Sequence, residues 1–284
     1  MNILEKILEQ KKLEIAALDA VALRRAAEQS PAPRDFLSAI KRRRFAPRPS
    51  LIAELKRASP SKGILAPHLD LFQVADIYAQ NGASAISVLT DEKFFMGNIA
   101  TLRQLRQNQV AISNHQSPIS NHQSSITNYQ LPLLRKDFII DESQIYEARA
   151  NGAAAILLIA AALTDDKHFA DLHACALSLG LTALVEVHDE AETERALKIP
   201  SIQLVGINNR NLATFEVTLE TTERLRPMIP SNITVVAESG IFTAADVERL
   251  AKADVDAILV GEALVTSEDI PAKVRELSGM QNAE

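Results

Sequence analysis

Between Leu51 and Gly261 the chain repeats one rhythm eight times: a short run rich in Ile, Val and Leu, then a longer segment of helical periodicity. The runs are LIAELK (51–56), AISVLT (85–90), LPLLRK (131–136), AAILLI (154–159), TALVEV (182–187), QLVGIN (203–208), ITVVAE (233–238) and DAILVG (256–261). Segments such as ESQIYEARANG (142–152) and TAADVERLAKA (243–253) follow them and predict helices. Strands apolar at nearly every position suit a parallel sheet buried on both faces. Eight such units in one chain predict a closed (β/α)8 barrel. A doubly wound open sheet is the alternative, disfavoured because no run is followed by a Gly-x-Gly-x-x-Gly turn.

The flanking segments are read separately. Residues 1–50 are expected to form an N-terminal helical extension, and residues 51–284 the barrel. Ile3, Ile7, Leu13, Ile15 and Ala16 recur at near-helical spacing, which predicts one amphipathic helix over 2–28. The stretch from Pro31 to Pro49 carries the basic run KRRR, read as a solvated helix end before the barrel. Residues 112–130 contain a seven-residue repeat full of Ser, Asn and Gln, expected to be a solvated, low-complexity insertion. His115 and His122 fall at the same place in that repeat, but no Cys, Asp or Glu accompanies them to complete a metal site.

Charge and composition narrow the partners. A net charge of −6 argues against nucleic acid or an anionic membrane as a partner. No run approaches the ~20 apolar residues of a membrane span, and the charged N-terminus does not read as a signal peptide. Cys175, the single cysteine, excludes a disulfide within the chain, so a reducing, cytoplasmic setting is expected. It lies mid-helix and reads as a small core residue. His188, just past the fifth run, reads as loop polarity, and a monomer is the expected state.

The informative residues are charges at the ends of apolar strands, because a strand buried on both faces should carry none without a partner or a task. The first run carries Glu54 and Lys56, two apart and therefore on one face. The third ends in Arg135-Lys136-Asp137, the fifth carries Glu186, and the seventh ends in Glu238. The sixth ends in Asn208, with Arg210 beyond it. Such a set can be ion pairs filling the barrel interior. Buried pairs are costly to desolvate, however, so convergence at one rim favours proton-transfer chemistry. Ser239-Gly240 and Gly261-Glu262 follow the last two runs, where barrels commonly bind phosphate through backbone N–H groups. The Glu262 side chain would then have to point away from the phosphate.

These residues lie within five ordered motifs: LIAELKRASPSKG, LLRKDFIIDESQIYEA, LVEVHDE, VGINNRNLATF and VAESGI. In that order they resemble the indole-3-glycerol phosphate synthase family, in its monofunctional form, with the 112–130 insertion as the plain departure. The resemblance implies conversion of 1-(o-carboxyphenylamino)-1-deoxyribulose 5-phosphate into indole-3-glycerol phosphate, carbon dioxide and water. It implies catalytic positions at Glu54, Lys56, Lys136, Glu186, Asn208 and Glu238, with Lys136 as the general acid. Substrate contacts are implied at Ser59, Pro60, Phe95, Phe138, Leu157 and Arg210. The backbone of Ser239, Gly240, Gly261 and Glu262 would hold the phosphate. No metal or organic cofactor is implied. Another phosphate-binding barrel, such as a sugar-phosphate isomerase, and an inactive ligand-binding barrel remain the competing readings.

Overall fold

The computed structural model describes residues 2–42, 48–60, 62–66, 68–114, 130–212 and 214–281. Eight parallel strands close into a barrel: β1 (Ser50–Leu55), β4 (Ala85–Leu89), β5 (Leu133–Lys136), β6 (Ala155–Ile159), β7 (Thr182–Val187), β8 (Leu204–Asn208), β9 (Thr234–Glu238) and β10 (Ala257–Val260). Pairing of β1 with both β4 and β10 closes the ring. A two-stranded antiparallel hairpin, β2 (Ala58–Ser59) and β3 (Gly63–Ile64), rises from the loop after β1. Its prediction from sequence was missed because two-residue strands carry no periodicity.

Side-chain parity divides the barrel into two cores. Leu51, Ala53 and Leu55 point outward and pack with Val88, Val185, Val205 and the helices. Ile52, Leu134, Leu157, Leu184, Val236 and Leu259 point inward and fill the barrel axis. Continuing the inward parity toward the carboxyl ends gives Glu54, Lys136, Ile159, Glu186, Asn208 and Glu238. The lower interior is therefore apolar, and the charged positions collect on one rim.

The N-terminal extension embraces both ends of the barrel. In place of the single helix expected over 2–28 there are two, α1 (Ile3–Ala16) and α2 (Ala20–Gln29). The break falls where the Asp19 side chain accepts from the Ala22 N–H and starts a new helix, a capping preference that outweighs continued periodicity. A short third helix, α3 (Phe36–Ile40), buries Phe36 and Ile40 among the inward-facing residues and plugs the amino end of the barrel. The second half of the basic run that follows it lies outside the described residues, as does the body of the 112–130 insertion; residues 112–114 end the helix Ile99–Asn114. Among the described residues, no helix is long and apolar enough to cross a membrane.

Candidate active site

One cavity opens at the carboxyl ends of the strands, and all sixteen positions singled out from the sequence line it. At its floor the Lys136 Nζ sits 3.1 Å from Glu186 Oε2 and 3.1 Å from Glu238 Oε2. Both glutamates are almost wholly buried. Beside them, the Lys56 Nζ lies 3.6 Å from Glu54 Oε1. Gly261 makes room for that carboxylate, since a Cβ there would come within 2.6 Å of Glu54 Oε1. Arg135, one residue before Lys136, faces the other way, donating to the Gln144 carbonyl at 2.8 Å and pairing with Glu147 at 2.8 Å.

Burial and charge set distinct protonation states here. For Lys136, burial works against the charged form, but Glu186, Glu238 and Glu54 outweigh it and keep the ammonium protonated. For Glu186, burial pulls upward, yet Lys136, His188 and Asn208 hold its carboxyl well below the usual range. For Glu238, burial prevails over the attraction of Lys136, and the charge of Glu186 adds to it; its carboxyl is pushed up to about 8. The floor thus favours an ammonium at Lys136 and a carboxylate at Glu186, with the Glu238 carboxyl the more readily protonated of the two.

The walls are apolar and the mouth is polar. Phe95 and Phe138 meet with ring centroids 6.0 Å apart, and the Lys56 Nζ lies 6.0 Å from the Phe95 centroid. Leu157 and Pro60 line the same cavity. Across from them, Ser239 and Gly240 both adopt left-handed backbone, with φ of 65° and 77°. Glu262 lines the cavity as well, its carboxylate 3.4 Å from Lys62 Nζ and 3.7 Å from an Arg210 guanidinium nitrogen. Its side chain is thus held by two cations of neighbouring loops.

Several residues escaped the sequence reading. Ile3, Leu4 and Ile7 of α1 form part of the cavity wall, and Leu212, Phe215 and Phe242 flank the mouth. Lys11, also on α1, is buried and pairs at 2.8 Å with each of Asp91, Asp137 and Glu14. His188 proved to be no loop polarity: its side chain is only 11% exposed, with Nε2 3.3 Å from Glu186 Oε1 and Nδ1 3.0 Å from Glu192 Oε2. The faint signal for His188 was its place two residues after Glu186, on the same side of an extended chain. For Lys11 there was none, because a lysine on an amphipathic helix ordinarily faces water.

A profile of the indole-3-glycerol phosphate synthase family matches residues 4–277. The chain is 48% identical over 285 residues to the indole-3-glycerol phosphate synthase of Roseiflexus sp. (strain RS-1), covering 98% of both chains. It is 45% identical over 284 residues to that of Polaromonas naphthalenivorans, covering 98% of this chain and 99% of the other. Among solved structures, 3-hexulose-6-phosphate synthase from Salmonella typhimurium shares the barrel alone, with a TM-score of 0.58 at 13% identity over 81% of this chain and 97% of that one. With the match spanning almost the whole chain, the protein belongs to the indole-3-glycerol phosphate synthase family.

Proposed function

We propose that this barrel performs the family's ring closure, decarboxylation and dehydration with Lys136 as the acid that protonates the ketose oxygen. In the first step the ring carbon bearing the carboxylate attacks the ketose carbonyl carbon. The carbonyl electron pair moves onto oxygen, which takes a proton from the Lys136 ammonium. Loss of carbon dioxide then returns its bonding pair to the ring. Finally the new hydroxyl leaves as water, and a ring-system proton is removed as the indole double bond forms. Glu186 and the Glu54–Lys56 pair are the proton carriers for that last stage. Asn208 and Arg210 orient the ribulose chain, and Ser59 with Lys56 receives the substrate carboxylate.

The aryl ring belongs between Phe95, Phe138 and Leu157, against Pro60. An apolar slot there presses the ring carbon onto the carbonyl, which converts encounter into orientation. The phosphate belongs against the backbone N–H groups of Ser239, Gly240, Gly261 and Glu262. Arg210 and Lys62, both beside Glu262, supply cations on the same side. The observation that carries the reading is a protonated lysine bracketed by two buried glutamates at the floor of a cavity walled by aromatic rings.

The direct test mixes purified protein with 1-(o-carboxyphenylamino)-1-deoxyribulose 5-phosphate and follows indole fluorescence. A rise in indole signal with equimolar release of carbon dioxide is expected. Isomerisation without release of carbon dioxide would assign the chain to a sugar-phosphate isomerase, and binding without turnover to an inactive barrel.

A further inference from the structure

Glu186 is bound on both sides, and the second side belongs to a residue with no place in the chemistry above. Its Oε2 faces Lys136 at 3.1 Å, while its Oε1 faces the His188 ring at 3.3 Å. The ring cannot turn freely. Glu192, on the helix Glu190–Ala196, accepts from the His188 backbone N–H at 2.8 Å and sits 3.0 Å from Nδ1 with the same oxygen. His188 does not line the substrate cavity. It lies behind Glu186 and faces a separate, polar cavity.

We propose that His188, braced by Glu192, is a positioning residue that holds one oxygen of Glu186 so that the other meets Lys136 and the substrate. This rests on the reading of Glu186 as a proton carrier. Two carboxylates flanking one imidazole favour its doubly protonated form; Nδ1 hydrogen-bonds Glu192, while Nε2 meets Glu186 as an ion pair at 3.3 Å. Burial opposes the charge, but Glu186 and Glu192 prevail and push the ring up to about 10. The charged groups around the pair come from five elements: Glu186 on β7, Glu192 and Asp189 at the following helix, Lys136 on β5 and Glu238 on β9, with Glu216 and Arg224 across the rear cavity. Arg224 is engaged by Glu190, which leaves His188 as the cation in contact with Glu186 from behind. An imidazolium there helps decide which of the two buried glutamates keeps a proton. With it in place the ionised form is favoured at Glu186 over Glu238.

Two measurements test this, one of them independent of turnover. In ¹⁵N NMR of the substrate-free protein, the His188 ring should stay doubly protonated at pH 8, and its titration should move toward the ordinary range in Glu186→Gln. A neutral ring at pH 7 in the wild type would overturn the proposal, even if the indole-forming reaction itself were absent. In steady-state kinetics, His188→Gln should lower kcat with little change in KM. The acidic limb of its kcat profile should rise by about one pH unit or more, the effect of withdrawing an adjacent opposite charge. Glu192→Gln, which leaves the ring but frees it, should move the limb in the same direction by less. A drop in kcat with an unmoved limb in both variants would mean His188 serves folding alone.

Discussion

A lysine between two buried glutamates is useful only if the three do not all carry full charge. Burial favours the protonated form of Glu238, which leaves Glu186 as the principal negative charge beside Lys136. Lys136→Met should therefore retain the barrel and lose turnover by about 10²–10⁴-fold, the usual contribution of a positioned acid. Retention of more than a tenth of the wild-type rate at saturating substrate would reassign the acid. Lys136 was visible in the sequence because the strand around it is apolar and a charge there contradicts its surroundings. The same contrast exposed Glu54, Glu186 and Glu238, and their inward parity put them on one rim. His188 and Lys11 offered no such contrast. Each sits in a polar neighbourhood of sequence, and only tertiary packing covers it, burying Lys11 fully and His188 in large part.

Among the elements, α1 departs most from what an amphipathic helix at a chain end ordinarily does. Ile3, Leu4 and Ile7 line the cavity at the carboxyl ends of the strands, while Lys11 reaches across to Asp91 after β4 and Asp137 after β5. Asp137 in turn accepts from the Thr90 hydroxyl at 2.6 Å, so one buried network ties the helix to the strand end that carries Lys136. Lys11→Met would remove the cation paired with buried Asp91, while Asp137 keeps Arg135 at 3.2 Å, and breaking a buried pair from one side costs about 3–5 kcal/mol. A lowered melting temperature and a raised KM should appear together, because unseating α1 also removes part of the cavity wall. Unchanged KM with lowered stability would show that α1 braces the barrel without shaping the substrate site. The barrel strands were legible to within one or two residues, since burial on both faces writes itself into composition. What α1 packs against was not, because an apolar stripe states that a helix is covered and leaves open by what.

At the scale of the whole molecule, the buried titratable groups make stability depend on pH in a direction that can be worked out. Glu238 is raised from 4.5 to about 8, so between those values the folded chain holds a proton that the unfolded chain has lost. Its contribution is full below 4.5 and is lost as pH rises through 8. His188 is raised from 6.5 to about 10, and its contribution is likewise full below 6.5 and lost as pH climbs through 10. Glu186 and Asp137 are depressed, so theirs is present above the ordinary carboxylate range and lost only on acidification. Melting temperature should therefore fall from about pH 5 upward, most steeply where the Glu238 and His188 windows overlap, between 6.5 and 8. The net charge of −6 grows more negative over the same range and adds repulsion of the same sign. Glu238→Gln separates the two effects, since an uncharged amide should flatten the decline between 4.5 and 8 while leaving the portion due to His188. If wild type and Glu238→Gln decline in parallel from pH 5 to 8, Glu238 is ionised in the folded protein. Lys136 would then stand between two carboxylates, held more firmly as an ammonium and less able to give its proton to the substrate.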